Sequence, residues 1–364
     1  MTIARAHLVD PSVTRWYHCV TRCVRRAFLL GEGMHDRKSW IEHRLEELAE
    51  IFSVAVAGFA ILDNHLHLLV RLDPEVARGW SDEDVVRRWG RLFPPRDKAR
   101  QVAPVSDEWV QARLKDARWV ATARERLQCL SWFMKCLKEP LSRLVNREEQ
   151  TRGAFFEGRF KSVAILDEES LLATCAYIDL NPVATGIAEV PEASAHTSIK
   201  QRVEDVKEKG RANDLNAAGA GSVPGSTVAA GLEEGLWLCP VEDRRRQDSS
   251  REGMLEGFSL GNYVLLVEYT RRLFREGKAV ISGELAGVFE RLGSNAENWH
   301  IPTGISRPRC RRRPCDRCSR SCANERPRQS PAVAPAASAR GCPDARRTSA
   351  GRRAGTGRRP ARPA

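Results

Sequence analysis

Residues 54–72 of the chain read VAVAGFAILDNHLHLLVRL, and this stretch decides the fold. Two apolar runs, 54–62 and 65–72, are separated only by Asp63 and Asn64. Such a polar pair between two apolar runs predicts a β-hairpin. Side chains alternate between faces in a strand, so the second run has one uniformly apolar face and one that carries His65 and His67. We therefore expect the apolar face to pack on helices.

The sequence on either side of the hairpin completes a recognisable order of elements. An aromatic and β-branched strand precedes it, and helices, a further strand and another helix follow. Strands are predicted at 15–24 and 159–166. Helices are predicted at 36–52, capped by Asp36, at 82–93, with a capping box from Ser81 to Asp84, and at 107–148, with a break at Pro140. A last helix begins at Asp167 and must stop by Asn181, because Pro182 disfavours helical geometry in the residue before it. This order predicts an α+β fold with a ferredoxin-like antiparallel sheet, helices on one face, and inserted helices at about 73–148.

The composition changes along the second half of the chain. Residues 201–255 are rich in Ala, Gly, Ser and charge, which is typical of a linker or mobile loop. A small helical segment is predicted at 256–301. From 302 to 364 Arg, Pro and Ala dominate without periodicity, so we expect a disordered tail. The abrupt loss of lysine there also suggests a shifted reading frame, a hypothesis that resequencing the locus would test.

The net charge of +12 gives no general support for nucleic-acid binding, because it comes from this tail. Residues 302–364 carry +14, which leaves about −2 on residues 1–301. A DNA-binding function must therefore rest on local groups. No apolar run reaches the roughly 20 residues of a membrane span, and the N-terminus has no secretory pattern, so we expect a cytoplasmic protein without a membrane partner.

Two short segments carry candidate chemistry. His65 and His67 share a strand face at a spacing that lets both imidazoles reach one divalent ion, although hydrogen-bonded histidines on a half-exposed strand would look the same. Tyr177 and Asn181 lie one helical turn apart, where a nucleophilic phenol and an amide ligand would share a face. The alternative there is a core tyrosine and a helix-terminal asparagine.

Together these segments resemble the single-tyrosine HUH transposases, in particular the REP-associated tyrosine transposases. Three ordered motifs carry the resemblance, which runs from about residue 14 to 200. They are Asp63-Asn64-His65-Leu66-His67, Phe156-Glu157-Gly158-Arg159-Phe160-Lys161-Ser162, and Tyr177 through Asn181-Pro182-Val183. The sequence departs from the family at Asp63, where proline is frequent, and at Ala184-Thr185-Gly186, where Arg-Ala-Gly is frequent. A basic group is therefore missing after the third motif.

The resemblance implies a catalytic domain over residues 1–200 that works on single-stranded, hairpin-forming DNA. It implies that His65, His67 and Asn181 bind Mg²⁺ or Mn²⁺, and that Tyr177 is the nucleophile. The product of attack would be a covalent 5′-phosphotyrosine and a free 3′-hydroxyl, so rejoining would need no nucleotide cofactor. The oligomeric state is left open between monomer and homodimer.

Locally basic groups are candidates for DNA contacts, chiefly to phosphates. They are Arg22, Arg25, Arg143, Arg147, Arg152, Arg159 and Lys161. We expect Phe160 in the core, whereas Phe155 and Phe156 fit either the core or base stacking. Besides an active transposase, two other functions are consistent with the sequence. One is a domesticated or inactive relative that binds DNA hairpins, and the other is a metal-dependent nuclease that uses water.

Overall fold

The central sheet has four antiparallel strands in the order β2-β3-β1-β4. The computed structural model describes residues 8–31, 36–219, 231–247 and 249–276. The strands are β1 (Trp16–Arg22), β2 (Val54–Ile61), β3 (His65–Leu72) and β4 (Lys161–Ile165). The predicted hairpin is β2–β3, and the strand order is that of a ferredoxin-like sheet. The predicted α+β class and antiparallel sheet are confirmed.

Ten α-helices are described around the sheet. The first six are α1 (Arg37–Ile51), α2 (Pro74–Gly79), α3 (Asp82–Leu92), α4 (Asp107–Leu114), α5 (Ala117–Leu127) and α6 (Leu130–Glu148). The others are α7 (Glu168–Ala184), α8 (Ser198–Glu208), α9 (Ala212–Gly219) and α10 (Leu260–Glu276), with short parallel strands β5 (Glu242–Asp243) and β6 (Leu255–Glu256) before α10. No helix among the described residues combines the length and apolar character that crossing a membrane requires.

The predicted start signals of two helices are present. The Asp36 carboxylate accepts a hydrogen bond from the Ser39 backbone N–H and caps α1. Ser81 and Asp84 form a reciprocal capping box at the start of α3. Each cap satisfies backbone N–H groups that the first turn of a helix leaves without partners.

Two predicted helix ends were wrong, because both prolines lie inside helices. α6 continues through Pro140, and the breaks in 107–148 fall between α4 and α5 and between α5 and α6. Proline removes the hydrogen bond to the carbonyl four residues earlier, here Cys136. The Arg44 Nε–H donates to that carbonyl at 3.3 Å, which compensates in part. α7 likewise runs past Pro182 to Ala184.

Helices cover both faces of the sheet, which corrects the expectation of helices on one face. The crossover helices α1 and α6 pack on the face that contains Leu66, Leu68 and Val70. The opposite face, which includes Leu69, is covered by α7 and α8, and α10 packs on α7. The side of β3 that carries the histidines is therefore enclosed by protein.

A β-bulge at residue 57 changes which side chains of β2 point to each face of the sheet. The register against β3 shifts between Val56 and Gly58. Val56 and Phe59 consequently face the α1 side, whereas Ala57 and Ala60 face the α7 side. Such an extra residue reverses the alternation of side chains along the strand.

Part of the predicted linker packs on the sheet. Within 201–255 the structure places most of α8 and all of α9, together with a segment whose Leu238 and Val241 are buried. The Cys239 backbone N–H donates to the Val56 carbonyl at 2.8 Å. The described part of the predicted 256–301 segment contains β6 and α10, and the 302–364 tail lies outside the described residues.

Candidate active site

The two predicted metal-binding histidines lie side by side on β3, with ring centroids 4.8 Å apart. His67 is 1% exposed, and His65 is partly buried. His65 Nδ1 lies 2.5 Å from Asn64 Oδ1, and the Asn64 amide group donates to the Arg26 carbonyl at 3.2 Å. Because an amide oxygen only accepts, His65 Nδ1 carries the proton and its Nε2 keeps a free lone pair.

Helix α7 brings Tyr177 and Asn181 onto this face of the sheet. The Tyr177 ring lies edge-on to His67, with centroids 5.6 Å apart. Asn181 lies one turn further along α7, is 7% exposed, and has a side chain that opposes the rise burial causes in the pKa of Tyr177. The Asp167 carboxylate caps α7 by accepting from the Ser170 N–H at 2.7 Å. The structure therefore brings His65, His67, Tyr177 and Asn181 to the same side of the sheet.

A third histidine, His18, belongs to the same cluster and was missed in the sequence. It lies on β1, and its Nε2 is 2.9 Å from His67 Nδ1. The planes of the His18 and His67 rings differ by 21° with centroids 5.2 Å apart, and the His18 centroid is 6.1 Å from that of Tyr177. The pairing of β1 with β3 places His18 diagonally to His67, and only knowledge of that register could have identified it.

Cross-strand neighbours place two cations on this face. Arg22 pairs with His65, and Val20 pairs with His67 on one side and with Lys161 on the other. Directly paired residues share a face of the sheet, so Arg22 and Lys161 lie on the same side as the histidines. Lys161 is exposed.

Burial and the nearby Arg22 charge keep the imidazoles of the site uncharged. Burial lowers the pKa of His18 to about 4, and burial together with the Arg22 charge lowers that of His65 to about 4. The pKa of His67 falls well below its ordinary value, mainly through burial. Burial raises the pKa of Tyr177, although the hydrogen bond from Asn181 and the Arg22 charge oppose that rise. At neutral pH the imidazoles are therefore uncharged and able to bind a cation.

The residues present fit a divalent cation. His67 Nε2 and Asn181 Oδ1 are both buried and have no hydrogen-bond partner. Buried polar atoms without partners are costly, so two of them in one site indicate a missing ligand. Imidazole nitrogens with an amide oxygen form a donor set that suits such ions. Across the described ranges no group of three residues of the types His, Cys, Asp and Glu is placed to hold a metal ion.

The other predicted DNA contacts are exposed, and two of them lie on the side of the sheet opposite Tyr177. Arg143 and Arg147 are exposed on α6, which packs on the opposite face of the sheet, and Arg143 is ion-paired with Glu139. Arg152 and Arg159 are exposed on the segment between α6 and β4. Arg25 is exposed in a short turn after β1, with φ of 56°.

The three phenylalanines of the second motif are all in the core. Phe155, Phe156 and Phe160 are 4%, 7% and 7% exposed and pack on the α1 side of the sheet. The prediction for Phe160 is confirmed. For Phe155 and Phe156 the structure favours the core over base stacking, because their faces are covered.

A solved protein structure resembles part of this chain. No family model matches the sequence, and no curated protein matches it. The solved structure is that of a REP-associated tyrosine transposase bound to a REP hairpin, and it shares 12% sequence identity with a TM-score of 0.34. The alignment covers 56% of this chain and 86% of that chain. The function proposed below rests on the site itself.

Proposed function

We propose that this protein is a DNA transposase that cuts and rejoins single-stranded, hairpin-forming DNA through a covalent 5′-phosphotyrosine at Tyr177. One observation carries the proposal. The partly exposed Tyr177 ring packs against His67, and Asn181 lies one turn further along α7. The buried atoms His67 Nε2 and Asn181 Oδ1 have no hydrogen-bond partner. A candidate nucleophile and candidate cation ligands therefore lie next to each other.

His65, His67 and Asn181 would hold Mg²⁺ or Mn²⁺ beside Tyr177. When bound, such an ion supplies Lewis-acid stabilisation of the charge that develops on the phosphate. Both histidines keep Nδ1 occupied, His65 with Asn64 and His67 with His18, so Nε2 is the nitrogen available for binding. These second partners orient the rings before any ligand arrives.

In the cutting step the Tyr177 oxygen attacks phosphorus, the bond from phosphorus to the 3′-oxygen breaks, and that oxygen leaves as a 3′-hydroxyl. The phenol gives up its proton to solvent as the new oxygen–phosphorus bond forms. The hydrogen bond from Asn181 and the charge of Arg22 both favour the phenolate. In rejoining, a 3′-hydroxyl attacks the same phosphorus and the tyrosine oxygen leaves and is reprotonated. The number of phosphodiester bonds is conserved, so no nucleotide cofactor is required.

Arg22 and Lys161 are suited to hold the DNA backbone at this site. Both lie on the face that carries Tyr177, and their strand positions are fixed by pairing within the sheet. Cations on a rigid sheet would orient phosphates without reading bases.

The test is a covalent-adduct assay on the full chain. Hairpin-forming single-stranded DNA, labelled at one end, is incubated with the protein and Mn²⁺ and resolved under denaturing conditions. A 5′-phosphotyrosine retains the segment on the 3′ side of the cut, so 3′-labelled DNA should label the protein and 5′-labelled DNA should not. Tyr177→Phe should abolish the adduct, whereas Tyr269→Phe on α10 should retain it.

Other outcomes would assign the rival functions. Cleavage without adduct that persists in Tyr177→Phe would indicate a nuclease that uses water. Hairpin binding with neither cleavage nor adduct would indicate a binding protein. Either result would overturn the proposal.

A further inference from the structure

We infer that His18 is a positioning residue that fixes the tautomer and plane of His67, so that His67 presents Nε2 to the cation; this inference rests on the proposed function. Its starting point is the 2.9 Å contact between His18 Nε2 and His67 Nδ1. The contact uses one ring nitrogen of His67 and leaves the other, Nε2, buried without a partner.

The proton in this contact has two placements with different consequences. If His67 Nδ1–H donates to His18 Nε2, then His67 Nε2 has a free lone pair and can bind a cation. If His18 Nε2–H donates instead, His67 Nε2 carries a hydrogen that is buried with no acceptor. A buried donor without an acceptor is destabilising, so the first placement is favoured.

The neighbouring His65 shows the same arrangement with a partner whose role is unambiguous. Its Nδ1 contacts Asn64 Oδ1, which can only accept, because the Asn64 amide group donates to the Arg26 carbonyl. Asn64 and His18 therefore do the same task for the two adjacent histidines. Both rings are held through Nδ1, and both leave Nε2 for the ion.

The geometry also explains why position 18 suits this task. β1 and β3 are paired so that His18 lies opposite Leu69, one diagonal step from His67. The two ring planes differ by only 21° with centroids 5.2 Å apart, so the contact between the nitrogens lies close to both ring planes and fixes the plane of His67 as well as its proton. Partners of this kind typically change metal affinity by about 10- to 100-fold when they are removed.

The first test measures Mn²⁺ binding by electron paramagnetic resonance on the full chain without DNA. His18→Ala should weaken binding by about 10- to 100-fold. His18→Gln, whose amide oxygen can still accept from His67 Nδ1–H, should recover most of the affinity. His43→Ala, on the exposed surface of α1, is the matched control and should bind as the wild type does. Equal affinity in wild type and His18→Ala, or no Mn²⁺ binding by the wild type, would overturn the inference.

A second measurement needs no variant at position 18 and so is independent of its folding. In protein labelled with ¹⁵N-histidine, with the His67 signals assigned by their loss in His67→Gln, Nδ1 should be protonated. Addition of Mg²⁺ should shift Nε2. A protonated Nε2, or an Mg²⁺-induced shift of Nδ1 that would make His18 and His67 joint ligands, would contradict the inference.

The two proposals can fail separately. Mn²⁺ binding that depends on His18, with no adduct formed at Tyr177, would reject the transposase chemistry alone. Adduct formation, together with an Mn²⁺ affinity that is the same in His18→Ala as in the wild type, would reject the positioning role alone.

Discussion

Arg22 and His65 lie directly opposite each other across β1 and β3. The pairing places a guanidinium beside a cluster of uncharged imidazoles. Its charge adds to the fall that burial causes in the pKa of His65 and opposes the rise that burial causes in that of Tyr177. The position is set by backbone pairing between two central strands, so this cation stays near Tyr177 in the absence of DNA. Arg22 is therefore suited both to hold a phosphate and to favour the phenolate.

The first prediction concerns DNA affinity. Arg22→Gln should weaken binding of hairpin DNA and reduce the slope of log affinity against log salt by about one, because one phosphate contact is lost. Fluorescence anisotropy at several salt concentrations measures both quantities. Arg78→Gln, on α2 and ion-paired with Glu75, removes the same charge at an exposed position and is the control. Equal losses in the two variants would show that Arg22 acts only through net charge.

The second prediction concerns stability and pH. Burial lowers the pKa of His18 to about 4 from an ordinary value of 6.5, so the unfolded chain binds a proton more readily than the folded one. The free energy of unfolding should therefore be highest above pH 6.5 and fall as the pH drops towards 4, by at most about 3 kcal/mol for this residue.

Urea denaturation without divalent ions, repeated from pH 7.5 to 4.5, checks this dependence. His18→Gln should make the dependence shallower without removing it, because burial lowers the pKa of His65 and His67 as well. The exposed control His43→Gln should keep the slope of the wild type. A wild-type slope in His18→Gln would mean that other groups cause the loss of stability in acid.

The third prediction concerns how α7 is held above the sheet. Asp179, fully buried on α7, accepts hydrogen bonds from Ser198 Oγ at 2.7 Å and the Ile199 N–H at 3.0 Å, and from the Tyr263 hydroxyl. Burial raises the pKa of this carboxyl, and the hydrogen bonds oppose that rise. The group thus links α7 to the start of α8 and to α10.

Asp179→Ala should lower the free energy of unfolding by about 3 kcal/mol, because three buried donors lose their acceptor. Tyr263→Phe should cost about 1–2 kcal/mol, and a double-mutant cycle should show coupling between the two. Asp214→Asn, in an exposed ion pair with Arg211, should change stability by less than about 0.5 kcal/mol. Additive effects of Asp179→Ala and Tyr263→Phe would argue against a shared network.

Local sequence patterns were sufficient to predict the strands of the sheet and the shared face of His65 and His67 on β3. The hairpin, the Asp36 cap and the alternation of His65 and His67 on one face of β3 all depend on residues close in sequence. His18 could not be found in this way, because its role depends on which strand lies beside β3. Helical spacing placed Tyr177 and Asn181 one turn apart, but the contact of Tyr177 with His67 depends on α7 packing across the sheet.

The covering of the second face of the sheet, on the α7 side, was not predicted for a similar reason. The segment 201–255 is rich in Ala, Gly, Ser and charge, yet Val203 and Val241 are buried on the α7 side and the Cys239 N–H donates to the Val56 carbonyl of the edge strand β2. Pro140 was a misleading local pattern, because Arg44 supplies a donor to the carbonyl that the proline leaves without one. In each case a partner distant in sequence determined the outcome.

The last prediction concerns Asn181, whose side chain has two separate effects on the site. Its Oδ1 is buried without a partner, and its side-chain amide group opposes the rise that burial causes in the pKa of Tyr177. Asn181→Ala should therefore weaken Mn²⁺ binding by about 10-fold or more and raise the pKa of Tyr177. Ultraviolet titration of tyrosine, compared with Tyr177→Phe, isolates the second effect.

Asn181→Asp separates the two effects. A carboxylate is a stronger ligand for Mn²⁺ than an amide, so metal affinity should rise. The same negative charge beside the phenol should raise the pKa of Tyr177 and slow adduct formation at neutral pH, with partial recovery at higher pH. Weaker Mn²⁺ binding in Asn181→Asp than in the wild type would show that Asn181 does not face the ion, and the third ligand would then have to be sought elsewhere.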